Sequence, residues 1–232
     1  MDTFNTAKLK MHNFASSLVD RCKNYAYKND SINIYCIENG KILIRNNIPG
    51  VTFADIDKAA GSIVIYHAES EFINCKFTLR KECIIVIMPT IYKVNKLSIM
   101  NNNGFGSLCY IGKNFSCQGA ELRLWEYKNI YIGEDVMFSW NIKLFTSDAH
   151  SILNKYGELI NTPEDIVIND HVWVGFDVKV LKGAFINKNC VIGASSLISK
   201  KHNNENVVLT GIPAKIVNTN ITWKRERIYR VP

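Results

Sequence analysis

Five histidines occur in the 232-residue chain, at positions 12, 67, 150, 171 and 202, and one of them has neighbours suited to proton transfer. His150 lies in Thr146-Ser-Asp-Ala-His-Ser-Ile152, two residues after the carboxylate of Asp148. An imidazole titrates near neutral pH, so such a group can take a proton from a hydroxyl nucleophile and release it again. Residue type alone fits a surface histidine, or one satisfied by hydrogen bonds, at least as well. A zinc site needs three well-spaced ligands, and His150 and His171 have no third partner of that kind. The seven cysteines, at 22, 36, 75, 83, 109, 117 and 190, include no CxxC pair, which favours buried free thiols in a reducing compartment over disulfides.

The elements that must hold His150 show in a period of six. Ile168, Val174, Val180, Ile186, Ile192 and Ile198 recur at one phase, continued upstream by Ile132, Phe138 and Leu144. A helix repeats on 3.6 and a strand on two, so a period of six predicts a solenoid, a parallel β-helix with three hexapeptides in each coil of about 18 residues. Val136, Ile142, Val172, Val178, Ala184, Cys190 and Ser196, four residues after the aliphatic positions, are small or β-branched, as a narrow triangular prism requires at a second inward site. Residues 150 to 167 interrupt the aliphatic spacing but preserve its phase. They read as a loop thrown out of the solenoid, beginning with His150, and loops on a rigid scaffold commonly carry chemistry.

Upstream the organisation is less regular. Phe4, Ala7, Met11, Phe14, Leu18, Cys22 and Tyr25 trace one face of a helix within residues 1 to 30, capped by Asp2 or Thr3 and expected to pack on the end of the solenoid or on the N-terminal strands. A membrane-surface role for its basic face is the lesser alternative. Residues 31 to 106 carry short strand-like runs with a blurred phase, read as irregular opening coils, with 101 to 106 as a turn or loop. Regular coils span 107 to 217, and 218 to 232 form a basic tail with Lys224, Arg225, Arg227 and Arg230, either solvated or holding a polyanion.

Composition bounds the partners. The formal charge of +7 and pI near 9.0 favour anionic ligands. Lysines and arginines are dispersed with no aromatic-rich binding motif, which argues against nucleic acid. The opening residues lack an apolar signal core, and nowhere do about 18 apolar residues run together, so the expectation is a cytoplasmic protein without a transmembrane segment, with a peripheral place at the inner membrane face compatible with its charge.

Five motifs stand in order between Ile132 and Val217: Ile132-Gly-Glu-Asp-Val136, Ser147-Asp-Ala-His-Ser-Ile152, Asp170-His-Val-Trp-Val-Gly175, Val191-Ile-Gly-Ala-Ser-Ser196 and Gly211-Ile-Pro-Ala-Lys-Ile-Val217. With them this stretch resembles the hexapeptide-repeat acyltransferases, in particular the branch of maltose, galactoside and capsular polysaccharide O-acetyltransferases. The Asp-x-His-Ser-Ile form and the ending Asn220-Ile-Thr-Trp223 look most like the capsule or surface-glycan subgroup. The resemblance implies a mainly β protein built as a left-handed parallel β-helix, an exception to the right-handed crossover preference. It also implies a homotrimer with active sites between subunits, acetyl-CoA as co-substrate and no metal.

For the site, the resemblance implies His150 as general base toward a sugar hydroxyl, with direct transfer and no covalent enzyme intermediate. Asp148 and Glu158 are the candidates to orient its ring, and Asp148 has the alternative of meeting the acceptor. Trp173 is expected to help build the donor pocket and to donate its indole N–H to the thioester or oxyanion; the alternative is packing at a subunit interface. Gly175 is expected to leave room for the pantetheine arm, Ala194 to bond it through backbone, and Lys200, Lys201 and Lys215 to meet the phosphates or else stand as solvated lysines. The family's asparagine-containing acceptor segment is replaced by Gln118-Gly-Ala-Glu-Leu-Arg123, so Glu121 and Arg123 are expected to meet a different, charged sugar. Asn218 stands where a second basic donor contact often lies. The rivals are N-acetylation of an amino sugar, transfer to a small antibiotic, and a non-enzymatic scaffold; the last gives no reason for combining the His150 loop with Trp173 and the Gly-Ile-Pro-Ala-Lys motif.

Overall fold

A computed structural model describes residues 2–102 and 105–228. Its short strands stack into three sheets, the faces of a triangular prism. The first face has nine strands, among them Ile63–His67, Ile84–Ile87, Leu108–Ile111, Ile130–Ile132, Ile166–Ile168 and Phe185–Ile186. The second has eight, including Met137–Phe138, Trp173–Val174 and Val191–Ile192, and the third seven, including Ala120–Trp125, Ile142–Phe145 and Lys179–Leu181. Pairing within each face is parallel except for the hairpins at the two ends.

The six-residue pattern becomes this prism because each aliphatic pairs with the aliphatic one coil on. Ile168 pairs Ile186, Val174 pairs Ile192 and Val180 pairs Ile198, each step 18 residues. The second inward set, from Val136 to Ser196, is buried as well. Each fully buried aliphatic contributes about 1.5–3 kcal/mol relative to exposure, repeated on every face of every coil. Corners are turned by residues in the left-handed region, mostly Asn and Asp, such as Asn114 (φ 57°), Asp135 (φ 54°) and Asp177 (φ 56°), whose short polar side chains tolerate that conformation.

Residues 31 to 102 depart from the expected irregularity. They feed the same three faces, but with longer coils: Ile63 pairs Ile84 and Ile84 pairs Leu108, steps of 21 and 24 residues. Extra corner residues blur a six-residue count without disturbing the stacking. Asn101 and Asn102, expected in a turn, end the strand Leu97–Asn102.

The helix Thr3–Ala26 is capped by Asp2, whose carboxylate accepts from the Asn5 N–H at 2.7 Å. It does not close an end of the solenoid. Its buried stripe, Ala7, Met11, Ala15, Leu18, Val19 and Cys22, lies along the outside of the first face over Tyr35, Ile65, Val86, Tyr110 and Tyr131. That face is apolar on both sides, so it needs a cover that the other two do not. Antiparallel hairpins instead extend the first face at one end, Asn33–Glu38 with Lys41–Arg45, and the second face at the other, Val207–Gly211 with Ala214–Thr219. Among the described residues no helix is long and apolar enough to cross a membrane.

Candidate active site

His150 stands where the chain leaves the third face. Thr146, buried after the strand Ile142–Phe145, accepts at Oγ1 from the Trp125 N–H (2.8 Å), and the Ser147 hydroxyl donates to Glu126 Oε2 (2.7 Å), so the launch is tied to the coil before it. Ala149 turns with φ 63°. The chain is back in the first face at Ile166, two residues before the expected return, and the Glu164 N–H donates to the Thr146 carbonyl at 3.0 Å. The excursion is a self-bonded hairpin with a bridge between Leu153 and Leu159.

Neither acid expected beside His150 touches its ring. Asp148 Oδ2 accepts from Lys182 Nζ (2.6 Å), which projects from the next coil, and from Asn161 Nδ2 (2.8 Å). The Lys182 ammonium first, and the Asn161 amide second, hold the Asp148 carboxyl below the usual carboxylate range. Glu158 Oε2 accepts from Asn154 Nδ2 (2.7 Å) inside the hairpin tip. Asn161 braces the loop base: its Nδ2 also donates to the His150 carbonyl (2.8 Å), and its Oδ1 accepts from the Ile152 N–H (2.7 Å). The His150 side chain is exposed, with no hydrogen-bond partner for its ring among the described residues. The acids therefore shape the loop that presents the histidine.

The third face beside that loop carries the expected acceptor residues. Glu121 and Arg123 point outward from the strand Ala120–Trp125 and form an ion pair. The Arg123 guanidinium lies 5.0 Å from the Trp125 ring and 4.9 Å from the Phe145 ring, which are stacked with centroids 6.2 Å apart. Lys143 pairs in register with Glu121. A flat aromatic and cationic surface of this kind suits a sugar ring bearing a carboxylate.

Trp173 lies on the second face, away from the corner where His150 leaves the third. It is 36% exposed, with Met137 and Val191 as its ladder neighbours. A cavity of about 570 Å³ opens between Met137 and Trp173 on one side and residues 222 to 228 on the other. Gly175 is demanded by stacking rather than by an open channel. A Cβ there would lie 2.8 Å from the Ile192 carbonyl oxygen and 2.9 Å from the Ala194 nitrogen, so the next coil already fills the space. Ala194 is exposed at the same corner.

The three lysines do not form one group. Lys201 lies on the first face, with Nζ 4.1 Å from the centre of the Phe4 ring and 4.0 Å from Asp2, so it holds the start of the helix. Lys200 is exposed beside it, and Lys215 is exposed on the terminal hairpin of the second face. Nor is the C-terminal run a loose basic tail. Trp223 is buried, and Arg225 donates through Nε to Asp135 (2.8 Å) and through its guanidinium to Ser116 Oγ (2.7 Å). Arg230 lies outside the described residues. His171 faces Asp135 at 2.6 Å and the Trp223 carbonyl at 3.1 Å, at the corner between the first and second faces rather than at the His150 corner. Among the described residues no group of three or more His, Cys, Asp or Glu could hold a metal ion.

Asn161, Lys182, Trp125, Phe145 and Trp223 escape sequence reasoning as contributors. Trp125 and Phe145 carry a usable signal, since Trp125 stands two residues after Arg123 on its own strand and Phe145 pairs with Arg123 from the next; Asn161 and Lys182 carry none, because their roles depend on how the loop folds.

A three-faced prism of hexapeptide coils with an extruded, histidine-bearing loop is the architecture of the hexapeptide-repeat acyltransferases. The chain matches no family model. It is 30% identical over 193 residues to the polysialic acid O-acetyltransferase of Neisseria meningitidis, covering 78% of this chain and 87% of that protein. It is 33% identical over 115 residues to the galactoside O-acetyltransferase of Escherichia coli (strain K12), covering 49% of this chain and 55% of that one, so it spans about half the length of this relative. The crystal structure of the polySia-specific acetyltransferase NeuO superposes with a TM-score of 0.52 at 24% identity, covering 87% of this chain and 93% of that chain. The chain belongs to the hexapeptide-repeat O-acetyltransferase family.

Proposed function

We propose that the protein transfers an acetyl group from acetyl-CoA to a sugar hydroxyl of a capsular or other surface polysaccharide, with His150 as general base. The observation that carries this is the exposed His150 ring, without a hydrogen-bond partner among the described residues and presented by a braced loop beside the Arg123, Trp125 and Phe145 surface. Acetyl-CoA supplies the activated thioester. His150 takes the proton from the attacking hydroxyl in a direct transfer, a role that gains about two to four orders of magnitude in rate. The cavity beside Trp173 fits the donor: it has an apolar wall in Met137, an indole N–H, and cationic side chains in Lys224 and Arg225.

His150 and Trp173 lie on different faces, so one active site takes them from neighbouring protomers of a trimer. Exposed Ile152, Leu153, Tyr156 and Ile160 on the loop, and the stacked, exposed Trp140 and Phe176 at the corner between the second and third faces, supply apolar surface for such a contact. An acidic acceptor agrees with the charge of +7, with the Arg123 surface and with the polysialic acid relative. The proposed place of action is the cytoplasm, at the inner membrane face where glycan precursors would be met.

The test is thiol release from acetyl-CoA across acidic and neutral oligosaccharides, beside His150→Ala. Release that requires an acidic glycan and His150 supports the proposal. CoA binding without release on any glycan moves the acceptor to an amino sugar or a small antibiotic.

A further inference from the structure

The segment after the last hairpin runs back along the prism. The Ile221 N–H donates to the Asn206 carbonyl (3.0 Å) and Thr222 Oγ1 to Asn189 Oδ1 (3.1 Å). Trp223 covers His171, and Arg225 reaches Asp135, Ser116 and, through Nη2, the Asn114 carbonyl (2.9 Å). These partners sit on successive coils at the corner between the first and second faces, so residues 221 to 225 form a strap laid against the direction of coil growth.

The strap is locked at its centre. The Trp223 and His171 rings stack with centroids 4.3 Å apart and planes within 12°, and Trp223 Nε1–H donates to the His171 carbonyl at 3.0 Å. Asp135 ties both sides, facing His171 through Oδ2 and accepting from Arg225 at Oδ1. From this lock the Trp223 ring reaches Trp173, with centroids 6.2 Å apart and planes tilted by 47°. Trp173 itself lies on a strand of two residues. Its ladder neighbours are Met137 and Val191, and the ring is partly exposed and lies against the strap's Trp223, so without the strap a ligand would have to order more of the ring at a cost in binding.

We propose that Trp223 is a positioning residue for donor binding: the strap fixes the Trp173 indole and forms the second wall of the cavity that takes the donor's thioester arm. This rests on the reading of Trp173 as part of the donor pocket. The strap does no chemistry on the acceptor, so its loss falls on donor affinity and leaves the His150 step intact once donor is saturating.

Calorimetry with CoA as the probe, together with donor KM and kcat, tests this on wild type, Trp173→Ala, Trp223→Ala, Trp223→Phe and Asp135→Asn, each checked for melting temperature and mass in solution. Trp223→Ala should weaken CoA binding and raise donor KM by about tenfold, with kcat at saturating donor within about twofold of wild type. Trp223→Phe, which keeps the stack and loses the indole donor, should recover most of that loss. Trp223→Ala with wild-type CoA affinity beside a weakened Trp173→Ala overturns the proposal. Wild-type affinity in Trp173→Ala overturns the donor-pocket reading itself, and the strap proposal with it. Should Trp223→Ala fail to fold, Asp135→Asn decides: it loosens the strap without lining the cavity, and an unchanged CoA affinity and KM would overturn the proposal.

Discussion

Asp148 Oδ2 lies 2.6 Å from the Lys182 ammonium, a contact between two coils across the mouth of the extruded loop. Lys182 Nζ also donates to the Asn161 carbonyl (2.7 Å), so one cation holds both the departing and the returning chain. The carboxylate nearest the histidine in sequence thus serves the geometry of the loop.

That contact gives a pH dependence with a definite sign. A carboxyl whose folded pKa is below its unfolded value, about 3.9, stabilises fully above that value and loses the contribution as pH falls through the folded pKa. The clamp should therefore be intact across the neutral range and fail only in acid. In Lys182→Met, the Asp148 carboxyl carbon followed by NMR should titrate higher than in wild type. Because the pair is partly exposed, the global stability change should stay within about 1 kcal/mol. An unmoved titration would show that Lys182 is not what holds Asp148.

His150→Ala should lower kcat by about 10²- to 10⁴-fold while leaving CoA affinity near wild type, because a base acts on the transition state more than on donor binding. Turnover close to wild type would remove His150 from the chemistry. Steady-state kinetics beside calorimetry separates the two effects.

Gly175→Ala separates stacking from ligand room. Its Cβ would meet the backbone of the next coil at 2.8–2.9 Å, so the expected outcome is destabilisation of roughly 1–3 kcal/mol, read as a fall in melting temperature. Loss of CoA binding at an unchanged melting temperature would instead assign this glycine to the donor channel.

Arg123→Leu should raise KM for an acidic acceptor by about tenfold and change KM for a neutral one little, since a guanidinium on a flat aromatic surface contributes most to a carboxylate partner. Equal losses for both acceptors would point to damage of the Trp125 and Phe145 stack.

All seven cysteines are free and buried, and burial pushes the Cys83 and Cys117 thiols up to about 12 and Cys22 up to about 11. A thiol reagent at pH 8 should leave the native protein almost unlabelled and modify it only on unfolding. Rapid labelling in the folded state would contradict that burial.

The prism was legible in the sequence because its cause is local and repeated. A coil of three hexads puts Ile168, Val174 and Val180 on three faces of one core, and the same rule places their successors at Ile186, Ile192 and Ile198. His150 and the departing loop were legible for the same reason: an interruption is visible only against a period. The opening coils were obscured because steps of 21 and 24 residues keep the stacking but break the count. What the tertiary structure alone decided are contacts between residues far apart in the chain. Asp148 turns to Lys182, Lys201 turns to Phe4 and Asp2, and the basic end folds back so that Arg225 meets Asp135, 90 positions upstream. Charge and residue type show that such groups need partners. Which partner each finds depends on the corner of the prism where its coil happens to set it down.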